Sequence, residues 1–188
     1  MKKYVQILKN EDKTKKRNKN SGWILLITLL SFAISLGFSF ISETLLPDIN
    51  ITLGIILILA FILIGALFDM IGVAVASANE APFHSMASQK VKGASLAIKM
   101  IKNANKVSSF CNDVIGDICG IISGSAGITV ALKISTHLNT DLLLTTLIIT
   151  ALIASMTIGG KACGKNIALN KSNMILYETS KLLSIFKK

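Results

Sequence analysis

The chain has 188 residues, of which 52% are hydrophobic and only 16% are charged, and it carries a formal net charge of +10. Its mean hydropathy of +0.63 is far above that of an ordinary soluble domain. The composition excludes a soluble globular protein. It predicts an all-α fold, a polytopic helical membrane protein.

Four windows hold the roughly 20 mostly apolar residues that cross a bilayer core of about 30 Å. They are residues 23–42, 51–78, 107–132 and 142–159, and the short connections between them leave no room for a separate soluble domain. The first apolar run is too long for a signal peptide and has no small-residue cleavage site before Glu43, so it is expected to be a retained anchor. The predicted organisation is a basic tail (1–21), an extra N-terminal anchor (22–45) and a membrane domain (51–186).

The basic residues are distributed unevenly along the chain. Eight Lys and Arg residues lie in residues 1–21, five lie between Lys90 and Lys106, six lie from Lys161 onward, and Lys133 stands alone. With four spans, the three large groups fall on one side, so the positive-inside rule places both termini in the cytoplasm of a multi-pass cell-membrane protein. Anionic lipid at that face is the expected partner of this charge, and no nucleic acid is expected.

A carboxylate lies among small residues in the inner half of the second span. Asp69, Gly65 and Gly72 share about one-third of a helical wheel with neighbouring alanines. Such a face either packs on another helix or lines a polar cavity.

The third span repeats this pattern with two carboxylates. Asp113 and Asp117 lie about 40° apart on the wheel, and the glycines of the span lie within about 60° of Asp113. Three of these glycines form two small-xxx-small units that favour close helix packing: Gly116, Gly120 and Gly124. The acidic face is therefore predicted to be interior, opposite the apolar residues Val114, Ile118 and Ile122.

Two neighbouring carboxylates in a low dielectric repel each other unless a proton or a cation neutralises one of them. Oxygen ligands of this kind favour a hard divalent cation such as Mg²⁺. A plainer alternative is that Asp113 is hydrated, caps the start of the helix or pairs with Lys106, and that Asp69 lies near the cytoplasmic interface. Asp117 is deeper in its span and is the strongest candidate ligand.

The connector between the second and third spans is predicted to be an amphipathic helical hairpin on the cytoplasmic side. Asn79, Glu80 and Pro82 are typical of a helix start, and Gly93 interrupts the helix. Its apolar stripe is expected to lie on the inner membrane face. A C-terminal helix over residues 170–186 repeats this pattern, with one apolar face, Ile175, Leu182, Leu183 and Phe186, opposite a polar face, Asn173, Ser180 and Ser184.

The run SANEAPFHSMASQKVKGASLAIKMIKNANKVSSFCNDVIGDICG resembles the membrane domain of the CorB/CorC and cyclin-M magnesium transporter family. The matching features are a span that ends in S-x-S-E, a basic hairpin with a Gly-Ala step, and a span that opens with I-G-N. Here they correspond to residues 77–80, 92–94 and 115–117.

The resemblance implies a dimer that holds dehydrated Mg²⁺ between its spans. The serine ligand of the family falls on Ser77, the asparagine on Asp117, and the last-span glutamate on Thr157, while Gly160 replaces a proline. The cytoplasmic nucleotide-sensing domains of the family are not part of this sequence. The expected metal ligands are therefore Asp117, Asp113, Ser77, Asp69 and Thr157, and the expected protein partner is a second copy of the chain.

Two functions remain open at this level. The first is transport or binding of a Mg²⁺-like cation, and the second is a scaffold or accessory subunit that binds no ion and associates through its glycine row. A holin-like or immunity-type protein is a third and weaker alternative. Cys111 and Cys119 have no neighbouring Cys or His for a zinc site, and no catalytic motif occurs, so the chain is expected not to be an enzyme.

Overall fold

The computed structural model describes residues 22–40, 44 and 49–186. Seven helices and no strand occur in these residues, which confirms the all-α prediction. The helices are α1 Gly22–Phe40, α2 Ile51–Ser77, α3 Ala81–Ser88, α4 Ala94–Lys102, α5 Ala104–Leu138, α6 Leu142–Asn170 and α7 Ser172–Phe186. Predictions for the basic tail, for Glu43 and for the side chain of Phe186 fall outside the described residues.

Four helices, α1, α2, α5 and α6, are long and apolar enough to cross a membrane. They occupy the four predicted windows. Two of them extend further than predicted, because α5 continues to Leu138 and α6 to Asn170. Asn139 ends α5 in a left-handed conformation, and the Asp141 carboxylate caps α6 by accepting a hydrogen bond from the Leu143 N–H at 2.9 Å.

Helix α2 is central to the bundle and packs against both α5 and α6, which also pack against each other. It runs antiparallel to α5: Gly54 lies beside Val130 near one end, and Gly72 lies beside Cys111 near the other. We call the end that carries α3, α4 and α7 the basic end of the bundle. At the opposite end the Lys133 ammonium donates a hydrogen bond to the Ile49 carbonyl.

In the apolar part of the bundle, the helix backbones approach each other closely at glycines. An added Cβ on Gly54 would lie 2.7 Å from Val130, and one on Gly65 would lie 3.1 Å from the Cβ of Cys119. Close approach of backbones through small residues is the usual way in which helices pack in lipid. Buried side chains fill the space beside these glycines: Ile58, Ile62, Ala126, Val130 and Ile153.

The basic end holds a second core, built by the hairpin and the C-terminal helix. Its buried members come from α2, α3, α4 and α7: Val75, Phe83, Ala97, Met100 and Leu176. The predicted hairpin is therefore present as α3 and α4, and Gly93 begins α4 with a φ of +88°. Its apolar stripe was expected to lie on the inner membrane face. Instead Met100 of that stripe is buried in the protein, because α2 and α7 cover α4, and the other members are partly buried against the same core: Leu96, Ile98 and Ile101.

Helix α7 docks through a mixed face that includes the fully buried Leu176. Ser180 is fully buried, and an added Cβ on Gly93 would lie 2.9 Å from the backbone of Lys181. The apolar face predicted for this helix is left exposed at Leu182 and Leu183. The predicted polar face does face the protein at Ser180, but Leu176, which was assigned to neither face, is buried beside it.

Candidate functional site

The helix α5 is not a regular α-helix where its carboxylates lie. Residues Phe110–Gly116 form a π-helical segment between α-helical flanks. Such segments are rare and frequently occur at functional sites. Asp113 lies inside this segment, and Asp117 directly follows it.

An ion pair links α5 to α6 at this level. The Lys161 Nζ lies 3.2 Å from Asp117 Oδ1, and the lysine side chain is 26% exposed while the aspartate is 65% exposed. Gly116 lies beside this pair, because an added Cβ there would be 3.6 Å from the same ammonium, an ordinary van der Waals distance. The most prominent sequence candidate thus has a cationic partner supplied by the chain itself.

Asp69 on α2 completes a charged cluster. Its carboxylate is half-buried and lies within electrostatic range of Lys161, Lys165, Asp117 and Asp113. The structure therefore places the three predicted carboxylates and two lysines in one charged region. Sequence reasoning did not assign these lysines to the site, although their i, i+4 spacing at the end of an apolar span was a signal that they share one helix face.

Asn112 is the residue that sequence reasoning missed. Its Oδ1 atom is buried and accepts no hydrogen bond within the described chain, while its Nδ2 donates a long one of 3.5 Å to Ser108 Oγ. A Cβ on Gly72 would overlap this carboxamide, so the glycine forms the space that holds it. Exchange of the amide's nitrogen and oxygen would still leave one polar end facing Gly72 without a partner.

The cluster lies near the basic end of the apolar region. At 1.5 Å per residue, Asp69 lies about 27 Å along α2 from Ile51, and Lys161 lies about 28 Å along α6 from Leu142. These lengths approach the roughly 30 Å of a hydrocarbon core. A hydrocarbon core that began at Ile51 and Leu142 would end close to these carboxylates, where a charge costs less than at the centre of a bilayer.

The hydroxyl groups of the other two predicted ligands, Ser77 and Thr157, make hydrogen bonds within their own helices. The Ser77 hydroxyl donates to the Val73 carbonyl at 2.8 Å, and Ser77 lies about 12 Å along α2 from Asp69. The Thr157 hydroxyl likewise donates to the Ile153 carbonyl at 2.8 Å. Each hydroxyl is therefore satisfied by its own helix.

The acidic face of α5 was expected to be interior, and the structure corrects this expectation. Asp113 and Asp117 are exposed. The opposite face is the buried one, because α1 and Phe61 pack on it at Val114, Ile118 and Ile122. Asp113 is also not at the start of its helix, which begins nine residues earlier at Ala104; this removes the capping alternative.

The three glycines expected to mediate packing differ in their surroundings. Gly116 packs within the chain, close to the Gly65 carbonyl and the Lys161 ammonium. An added Cβ on Gly120 or Gly124 would meet nothing within 4 Å of it in the described structure. Only Gly116 therefore contributes to packing inside one copy of the chain.

The donor atoms at the site are hard oxygens. Among the described residues, no group of three or more His, Cys, Asp or Glu side chains is placed to hold one metal ion. An ion at this site would therefore combine one or two carboxylates with the amide of Asn112, backbone carbonyls or water. Mg²⁺ is commonly bound in this way, because it retains several waters and takes only one or two protein carboxylates.

The chain matches no protein-family model, no curated protein and no solved structure. The resemblance to the CorB/CorC and cyclin-M family stays a prediction from the quoted motifs.

Proposed function

We propose that this membrane protein binds a Mg²⁺-like divalent cation at the basic end of its bundle and serves its transport across the cell membrane. The observation that carries the proposal is the buried Asn112 amide, which faces Gly72 without a hydrogen-bond partner. A buried polar atom without a partner costs about 1–3 kcal/mol, and an ion is one of the few explanations for keeping it.

The neighbouring groups fit such an ion. Asp69 and Asp117 supply charge from two helices, and the exposure of Asp117 suits an ion that keeps part of its water shell. The Asn112 amide lies against Gly72, three residues after Asp69 on α2, and Asn112 directly precedes Asp113 in the π-helical segment. The motif resemblance supports the same residue, because Asp117 stands at the position of the family's asparagine.

We also propose that the site works in a homodimer with its basic end in the cytoplasm. The orientation rests on the positive-inside distribution of Lys and Arg. The dimer rests on the open face of α5, where Gly120 and Gly124 meet nothing and Asp117 is exposed. A second copy is the partner that would cover this face.

A second candidate function is a membrane scaffold or accessory subunit that binds no ion. The Lys161–Asp117 pair favours it, since an ammonium already neutralises the strongest ligand. Under this alternative the charged cluster is a helix-to-helix tie, and the open glycines of α5 mediate assembly.

The test is a Mg²⁺ titration of the full chain in lipid nanodiscs, followed by thermal stability. Binding to the folded state alone raises the free energy of unfolding by about 2.7 kcal/mol at a hundredfold excess of ion over Kd. We expect a saturable rise that is lost in Asp117→Asn. The matched control is Asp141→Asn at the opposite end, where asparagine also caps a helix and the response to Mg²⁺ should be unchanged.

The variant Asn112→Leu separates the two candidate functions more sharply. Leucine has a similar size and removes the unpaired polar atoms, so it should abolish the Mg²⁺ response while leaving the protein folded. Were the amide only an unsatisfied core group, leucine would stabilise the protein and leave any ion response intact. A wild-type protein that shows no response to Mg²⁺ would contradict the ion proposal and favour the scaffold.

A further inference from the structure

We propose that the turn between α3 and α4, together with the adjoining end of α7, binds an anionic phospholipid of the membrane in which the chain lies. The sequence predicts anionic lipid only as a partner of the whole basic face. The new element is one place on that face, where three lysines adjoin an exposed apolar strip. The inference is independent of the proposed cation site, because it uses none of the residues of that site.

Three lysines converge where the turn meets α7. Lys90 and Lys92 lie in the turn itself, which a hydrogen bond of 3.0 Å from the Lys90 N–H to the Ala87 carbonyl helps to hold. Gly93 follows Lys92 and packs so tightly on α7 that an added Cβ would lie 2.9 Å from the Cα of Lys181. The backbones of Lys92 and Lys181 are therefore neighbours. We call Lys90, Lys92 and Lys181 the lysine cluster.

The charge of the lysine cluster is not neutralised within the described part of the chain. All three side chains are exposed, and none of them forms an ion pair with a described residue. Glu178 is also exposed, one turn before Lys181 on α7, and pairs with none of the three. Three lysines against one glutamate leave an excess of positive charge, which attracts an anionic ligand.

An exposed apolar strip on α7 adjoins the lysine cluster. Met174 and Ile185 lie within about 40° of Lys181 on the wheel of this helix. Their side chains are 64% and 69% exposed. A soluble anion would use the lysines alone, whereas a phospholipid offers a phosphate to the lysines and acyl chains to the strip. Basic residues beside an apolar face are typical of helices that lie in the membrane interface.

The lysine cluster belongs to a layer that lies at the depth of the lipid headgroups. The core of this layer contains Val75 of α2 and Leu176 of α7, and Val75 lies about 36 Å along α2 from Ile51. A hydrocarbon core of about 30 Å that began at Ile51 would end before Val75, and the headgroup region adds roughly 5–7 Å on each side. Helices α4 and α7 thus lie beside headgroups, and the long stems of lysine let the ammonium groups reach the phosphates.

The test is a titration of phosphatidylglycerol into phosphatidylcholine nanodiscs that hold the full chain, followed by amide hydrogen exchange in α4 and α7. We expect saturable protection of both helices. A basic residue near an anionic surface contributes about fivefold in affinity, so Lys92→Gln and Lys181→Gln should each raise the half-saturating fraction of phosphatidylglycerol about fivefold. Glu178→Gln removes a repelling carboxylate and should lower that fraction. Ile185→Gln keeps every charge and should raise it.

The matched control is Lys102→Gln, which removes the same charge about 14 Å along α4 from Gly93 and should leave the half-saturating fraction unchanged. Equal shifts in Lys102→Gln and Lys181→Gln would overturn the inference, because they would show diffuse attraction to the whole face. Protection that phosphatidylglycerol does not change, or that soluble glycerol phosphate reproduces, would also overturn it. An unshifted Ile185→Gln would do the same, because the ligand would then be an anion without acyl chains. The Mg²⁺ response of the protein is measured separately, so these outcomes leave the proposed function untouched.

Discussion

The apolar bundle and the basic-end layer of this molecule are packed by different means. In the bundle, backbones approach each other at glycines, as at Gly54 and Gly65, and many large apolar side chains point outward. In the basic-end layer, large side chains are fully enclosed: Phe83 is 1% exposed and Leu176 is 0% exposed.

The difference follows from the solvent that each region meets. Between helices in lipid there is no hydrophobic driving force, so close contact of small residues supplies the packing energy. A layer in water gains stability by removing large apolar side chains from it. The charged cluster lies between the two regions, because Asp69 falls between Gly65 of the bundle and Val75 of the basic-end layer.

The largest expected effect tests the enclosed core of the basic-end layer. Phe83→Ala should lower the free energy of unfolding by about 3–5 kcal/mol, because it leaves a cavity among large side chains. Hydrogen exchange in nanodiscs should show the loss first in α3, α4 and α7. The control is Phe32→Ala on α1, where the ring is 66% exposed. Equal loss of protection throughout α2 and α5 would show that the two regions unfold as one unit.

A smaller effect is expected from adding one methyl group to the bundle. Gly72→Ala would bring a Cβ into the Asn112 carboxamide and to 3.1 Å from the Cβ of Cys111. Overpacking of this kind costs about 1–3 kcal/mol. Thermal unfolding in nanodiscs measures it, with Gly37→Ala as control, because a Cβ there meets nothing within 4 Å in the described structure. A stability equal to that of the control would mean that α2 and α5 are not in close contact at this level.

The smallest expected effect is an increase, not a decrease, in the free energy of unfolding. Gly124→Ala should stabilise the single chain by about 0.5–1 kcal/mol, because the site is open and alanine favours the helix. If two copies meet on this face, the same methyl group should weaken their association, which crosslinking in nanodiscs at several protein-to-lipid ratios would report. Unchanged crosslinking would place the dimer contact elsewhere.

Hydropathy was sufficient to predict the four spans, because length and apolar content decide membrane insertion. The hairpin and its break at Gly93 were also predictable from local signals of helix start and stop. What could not be predicted was the direction that the hairpin faces. Its stripe is equally suited to lipid or to protein, and only the docking of α7 decides between them.

The three carboxylates of the site could be predicted from the sequence, but the packing of the helix faces around them could not. Asp69, Asp113 and Asp117 stood out because charge is rare in apolar spans. A helical wheel cannot show that α1 covers Val114 and Ile118, since that contact depends on tertiary packing. It also assumes a uniform 100° per residue, which the π-helical segment breaks.

The π-helical segment Phe110–Gly116 fixes the rotational phase between two halves of α5. Before it, Ala104 and Val107 pack into the basic-end layer; after it, Ile118 and Ile122 pack against α1. If the same residues formed a regular α-helix, one half would rotate by about 100° relative to the other, and the chain could satisfy one of its two packing partners but not both. Because the π-helical turn holds about one residue more than an α-helical turn, deleting a single residue here should remove the turn while both halves keep their packing partners.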